Sequence, residues 1–157
     1  MAPLLFFDPS ALDVERVLHD SAAIEKINPH RGCMRLLDAI VHEDEEARIS
    51  VAYRDIGHDE FWVAGHIPGR PIFPGVLMVE AGAQLASFVC LRRRPQESFM
   101  GFIGIDNVKF RGQVGPGDRL FSLLKEVEMR RKRCCCDIQG AVNGTLVFEG
   151  RVTGMTM

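Results

Sequence analysis

Between Val76 and Leu91 the chain runs through Val76, Leu77, Met78, Val79, Leu85, Phe88, Val89 and Leu91 with alanines between them, leaving no wide polar face. A helix apolar on nearly every side must be surrounded by protein on nearly every side. Pro74-Gly75 stands just before this stretch. Arg92-Arg93-Arg94 and then Pro95 mark its end, basic residues being favourable at the negative end of the helix dipole. The pattern predicts a central helix over about residues 75–93 that the rest of the chain must enclose.

The remaining segments supply strands for that purpose. Residues 35–41 and 47–53 flank the acidic cluster Glu43-Asp44-Glu45-Glu46 and read as two strands joined by a solvated turn. The cluster lacks the glycine-containing spacing of a calcium loop. Residues 98–110, 119–129, 134–142 and 145–153 are extended segments rich in Val, Ile, Phe and Leu. Asn143-Gly144 is a hairpin signal between the last two, and Gly115-Pro116-Gly117-Asp118 breaks the chain between the preceding pair. Strands, one buried helix, then more strands with tight turns predict an α+β fold, an antiparallel sheet curled around a long central helix. Ser10, with Asp13 three residues on and Leu12, Val14, Val17 and Leu18 following an apolar pattern, resembles a capping box that opens a short N-terminal helix. Residues 1–23 are read as a peripheral extension, and 157 residues, 46% of them hydrophobic, as a single domain over 1–157.

Charge and cysteine usage narrow the function. With 19 basic and 21 acidic side chains, and a formal charge of -2, the whole-molecule field gives no argument for a nucleic-acid partner. The opening residues lack a basic n-region, and no apolar run approaches the roughly 20 residues of a membrane span. Five cysteines, an odd number, fit a reduced, cytoplasmic protein. Cys134-Cys135-Cys136 has no Cys-x-x-Cys spacing or nearby histidine pair, so these residues are read as small strand residues and no metal is expected.

Chemistry concentrates where the loop meets the helix. His66 precedes a Pro/Gly-rich segment, and Glu80 lies inside the apolar helix. Histidine titrates near working pH and takes a proton, whereas a carboxyl sunk among aliphatic side chains tends to stay protonated and can give one. Gly65, Pro68, Gly69, Pro71, Pro74 and Gly75 fix a close-lying backbone path into the helix start. There the N–H of Gly75 or Val76 is free to polarise a carbonyl. A base, an acid and an oxyanion site suit proton removal beside a thioester carbonyl, followed by loss of a hydroxyl from the next carbon.

The stretch Gly65-His66-Ile67-Pro68-Gly69-Arg70-Pro71-Ile72-Phe73-Pro74-Gly75-Val76-Leu77-Met78-Val79-Glu80-Ala81-Gly82-Ala83-Gln84 resembles the signature of the FabZ-type (3R)-3-hydroxyacyl-acyl-carrier-protein dehydratases, which have a hotdog fold. The resemblance extends through Pro29-His30-Arg31, Leu36-Leu37-Asp38, Val108-Lys109-Phe110-Arg111 and Pro116-Gly117-Asp118, about residues 24–153 in all. It implies that His66 and Glu80 are the catalytic pair, that the Gly75 N–H faces the thioester carbonyl, and that no cofactor is needed. It further implies that the two titrating residues of one site come from opposite subunits of a homodimer, which can assemble into a hexamer. FabA-type relatives carry aspartate at the position of Glu80, which favours the FabZ-type branch.

Gly32-Cys33-Met34 and Ile67 depart from the family pattern. By the same resemblance, Met34, Ile67, Phe73, Val76, Gln84 and Phe110 are tunnel or support positions. The basic runs Arg92-Arg93-Arg94 and Arg130-Arg131-Lys132-Arg133 are candidates for meeting an acidic acyl carrier protein that bears a 3-hydroxyacyl thioester. The leading reading is dehydration to trans-2-enoyl thioesters. The alternatives are a hotdog acyl thioesterase and a non-catalytic acyl-thioester-binding module.

Overall fold

The computed structural model describes residues 4–94 and 99–157. Among these residues the chain forms helices α1 (Ser21–Ile27) and α2 (Gly75–Leu91). Seven strands accompany them: β1 (His19–Asp20), β2 (Ala39–Asp44), β3 (Ile49–Asp55), β4 (Met100–Phe110), β5 (Arg119–Met129), β6 (Arg133–Val142) and β7 (Thr145–Thr156). The strands make one antiparallel sheet in the order β1-β2-β3-β5-β6-β7-β4. Pro95 and Ser98, the expected helix stop and strand start, lie outside the described residues, as do residues 1–3.

The sheet curls around α2 as its apolar surface requires. Met78, Val79, Leu85, Phe88 and Val89 are buried against Leu120, Leu124, Ile138, Phe148 and Val152 of β5, β6 and β7. Helix and sheet approach closely at Gly82, where a Cβ would stand 2.8 Å from Ile138 Cδ1. Asn143 and Gly144 both take positive φ, 48° and 73°, the geometry that lets a two-residue turn follow the twist of β6 and β7. Cys134, Cys135 and Cys136 are all buried within β6, as small strand residues.

The N-terminal residues depart from expectation. No helix follows Ser10; its N–H and hydroxyl both donate to Asp8 Oδ1, at 3.0 and 2.8 Å, around a single 3₁₀ turn at Pro9–Ala11. Asp13 is spent on Glu15 N–H, and Leu18 N–H donates to Ile40 O beside β2, so local side-chain bonds and the sheet edge displace the helix. The short helix instead starts at Ser21, where Asp20 accepts from Ala23 N–H at 2.8 Å. Nor is the segment merely peripheral. Leu5, Phe6, Phe7 and Leu12 cover a second apolar cluster of Ala39, Val41, Val51, Leu123 and Ala141. Buried Gln139 ties this strap down, accepting from Phe6 N–H at 2.8 Å and donating to Leu4 O at 3.0 Å.

The strand expected at 35–41 begins later, at Ala39, because Leu36 and Leu37 turn into the core first. At the opposite edge β4 is paired only with β7, and Phe102, Ile103, Ile105 and Phe110 along it are exposed. Among the described residues no helix is long and apolar enough to cross a membrane.

Candidate active site

The loop before α2 is folded by its own backbone. His66 N–H donates to Trp62 O at 2.7 Å, Arg70 N–H to Ile67 O at 2.8 Å, and Ile72 N–H back to His66 O at 2.9 Å. Phe73 anchors the loop, buried against Trp62 with its N–H on Val114 O at 2.7 Å. Phe73 thus supports the loop from within the core. His66 itself is exposed, and its Nδ1 lies 2.7 Å from Ile72 O. A carbonyl only accepts, so Nδ1 carries a proton, and in the neutral ring the lone pair lies on Nε2. The neutral ring is thereby held as the Nδ1–H tautomer.

At the helix start, the N–H groups of Leu77 and Met78 both donate to Pro74 O, and Pro74 provides no side-chain cap. This leaves the Gly75 and Val76 N–H groups without a backbone partner among the described residues, at the positive end of a 17-residue helix. The Phe110 ring lies directly over Gly75, where a Cβ would stand 2.7 Å from Phe110 Cε1. Any larger residue at this position would displace that ring. Val76 and Ile67 point outward, 73% and 50% exposed.

Glu80 differs from the buried, protonated acid expected of it. Its side chain is 26% exposed, and Oε1 meets His30 Nε2 at 3.2 Å and Gln84 Nε2 at 2.9 Å. Burial pushes the carboxyl up, yet the hydrogen bonds from His30 and Gln84 and the His30 ring outweigh it and hold Glu80 below the ordinary glutamate range. His30 was not among the candidate site residues; its signal was Pro29-His30-Arg31. Gln84 is a clamp as well as a neighbour. Its Oε1 accepts from Leu36 N–H at 3.0 Å, its Nε2 donates to Met34 O at 2.8 Å, and its carbonyl accepts from Asn28 Nδ2 at 2.8 Å. Met34 thus contributes its backbone here, while its side chain is exposed.

Glu80, His30 and Gln84 line a cavity of about 60 Å³ beside α2, together with Ala83, Ser87, Met100, Phe102, Cys134 and Gly154. His66 does not line it. The basic runs separate into two groups. Arg93, Arg94, Arg130, Arg131 and Lys132 surround one open cavity beyond the end of α2, and Arg92 turns away to Glu43 at 2.6 Å. Arg133 is exposed at the start of β6. Among the described residues no group of three His, Cys, Asp or Glu side chains is placed to hold a metal ion.

Residues 28–151 match the FabA-like domain family. A 3-hydroxyacyl-[acyl-carrier-protein] dehydratase FabZ of Alkaliphilus metalliredigens is 42% identical over 109 residues, covering 69% of this chain and 74% of that protein. A bifunctional enzyme LpxC/FabZ of Chlorobaculum tepidum is 38% identical over 143 residues; these cover 90% of this chain but only 30% of that longer protein. Among solved structures, a chain of the dehydratase heterocomplex ApeI:P from Xenorhabdus doucetiae superposes with a TM-score of 0.72 at 16% identity, covering 85% of this chain and 90% of that one. That last likeness is one of fold: the sheet wrapped around α2 is a hotdog fold.

Proposed function

The chain belongs to the FabA-like family and acts as a 3-hydroxyacyl-acyl-carrier-protein dehydratase of fatty acid biosynthesis, and from that premise we propose that His66 and Glu80 of opposite subunits form its active site. The observation that carries this reading is the His66 Nδ1 contact to Ile72 O, which leaves Nε2 as a base on an exposed loop. His66 Nε2 removes the proton next to the thioester carbonyl. The N–H of Gly75 stabilises the charge that develops on the carbonyl oxygen. Glu80 delivers a proton to the departing hydroxyl.

In the free subunit Glu80 is held ionised by His30 and Gln84, the form from which the reverse reaction, hydration, takes a proton from water. Dehydration needs that oxygen protonated. The partner surface and the acyl chain supply the change by excluding water, which raises the cost of the carboxylate.

The homodimer forms through β4. An 11-residue edge strand with exposed Phe102, Ile103 and Ile105 is the kind of surface a second copy covers by pairing and by burial. Further association of dimers into a hexamer is compatible with this interface. The cavity ringed by Arg93, Arg94, Arg130, Arg131 and Lys132 suits the acidic acyl carrier protein. A cytoplasmic location accords with five free cysteines.

Mixing two inactive variants tests the shared site. His66→Ala and Glu80→Gln homodimers each lose roughly 10²–10⁴-fold in turnover, the usual contribution of acid–base groups. Co-refolded, they form heterodimers with one intact site and one doubly damaged site, so about a quarter of wild-type activity returns. No recovery from verified heterodimers places both residues within one subunit.

A further inference from the structure

We propose that Met100, folded over Gly154 against Cys134, is the end wall of the acyl tunnel that starts at Glu80, and thereby sets the longest chain this enzyme turns over. The inference rests on the dehydratase reading above and names the determinant of its substrate class. The tunnel follows one face of α2, where Glu80, Ala83, Gln84 and Ser87 recur at helical spacing. Glu80 to Ser87 spans about 10 Å of helix at 1.5 Å per residue. Past the polar group of His30, Glu80 and Gln84, its walls are chiefly apolar, as an alkyl chain requires.

The far end is built of sulfur. A Cβ at position 154 would lie 2.6 Å from Met100 Sδ, 3.1 Å from Met100 Cγ and 3.2 Å from Cys134 Sγ, so glycine there creates the recess that Met100 fills. Met100 Sδ and Cys134 Sγ are 3.8 Å apart. Behind them Cys90 Sγ touches Met129 Sδ at 3.4 Å, and both line the basic cavity beyond. Met100 and Cys134, backed by Cys90 and Met129, thus separate an apolar tunnel from a cationic one.

Size turns this wall into a selector. At about 30 Å³ for each water-sized group, a cavity of about 60 Å³ holds about two such groups. A short acyl tail fits beyond Glu80 with Met100 in place. A longer one needs Met100 to swing aside, a motion its unbranched thioether allows.

The test is a chain-length profile, the kcat/KM for 3-hydroxybutyryl, 3-hydroxyoctanoyl and 3-hydroxypalmitoyl thioesters. Met100→Ala is expected to raise the palmitoyl-to-butyryl ratio by about tenfold or more, and Met100→Phe to lower it similarly, since one misfitted methylene alone is worth about tenfold. Cys134→Ala provides a second opening of the same wall should Met100→Ala fail to fold, and it too should raise the ratio. Ratios within about twofold of wild type in the folded variants overturn the assignment, since a merely structural Met100 would lower all three rates together. A wild-type protein inert on every chain overturns the dehydratase reading itself and is distinguishable from that outcome.

Discussion

Burial raises the cost of ionising Glu80, while the hydrogen bonds from His30 and Gln84 and the His30 ring lower it, and the balance falls on the ionised side. Removing His30 leaves burial opposed only by Gln84, so the pKa of Glu80 must rise. In His30→Ala the limb of the kcat/KM profile governed by Glu80 is therefore expected to move to higher pH. A limb that stays in place, or moves down, rules out the His30 contact as the controlling one. Sequence reasoning selected Glu80 from its setting in an apolar helix, and it missed His30 because its partner lies 50 positions away in the chain. No periodicity connects a loop histidine to a helix carboxylate at that separation.

The elements are held by a few close approaches. At Gly82 the helix lies so near β6 that a Cβ would meet Ile138 Cδ1 at 2.8 Å and Ile138 Cβ at 3.2 Å. Gly82→Val adds three carbons to this contact, and overpacking of this kind costs about 1–3 kcal/mol. Urea unfolding should show a lower midpoint at an unchanged slope. The central helix, the 119–129 strand and the Asn143-Gly144 hairpin were legible because each follows from local pattern, an all-round apolar surface, a strand run or a turn that demands positive φ. The helix expected after Ser10 was not, because Asp8 and Asp13 side chains and the edge of β2 compete for the same backbone. A capping pattern describes what a segment can do in isolation, and here the sheet offered the alternative.

At the scale of the whole molecule, β4 and the basic cavity carry the predictions. Ile105→Lys puts a charge on the exposed edge strand and should yield a monomer by light scattering, with turnover reduced at least about 10²-fold because each site loses its partner's group. A dimer that persists with full activity excludes β4 as the interface. Reversing Arg131 and Lys132 to Glu should raise KM for the carrier-protein substrate about tenfold, more at low salt, and leave a small thioester substrate unaffected. Equal effects on both substrates would exclude that cavity as the carrier-protein surface. By itself the sequence determined that a helix apolar all round must be enclosed by strands, and the signature from Gly65 to Gln84 identified the family, because both are written in contiguous residues. Only the tertiary structure decided the Ile72 contact that orients the His66 ring, the His30 and Gln84 contacts that lower the Glu80 pKa, the N-terminal strap over the sheet and the meeting of Met100 with Cys134. The His30–Glu80, strap and Met100–Cys134 contacts join groups far apart in the chain, and the His66 contact closes a six-residue loop whose path is set by Phe73 packing, so packing fixes these distances where local pattern does not.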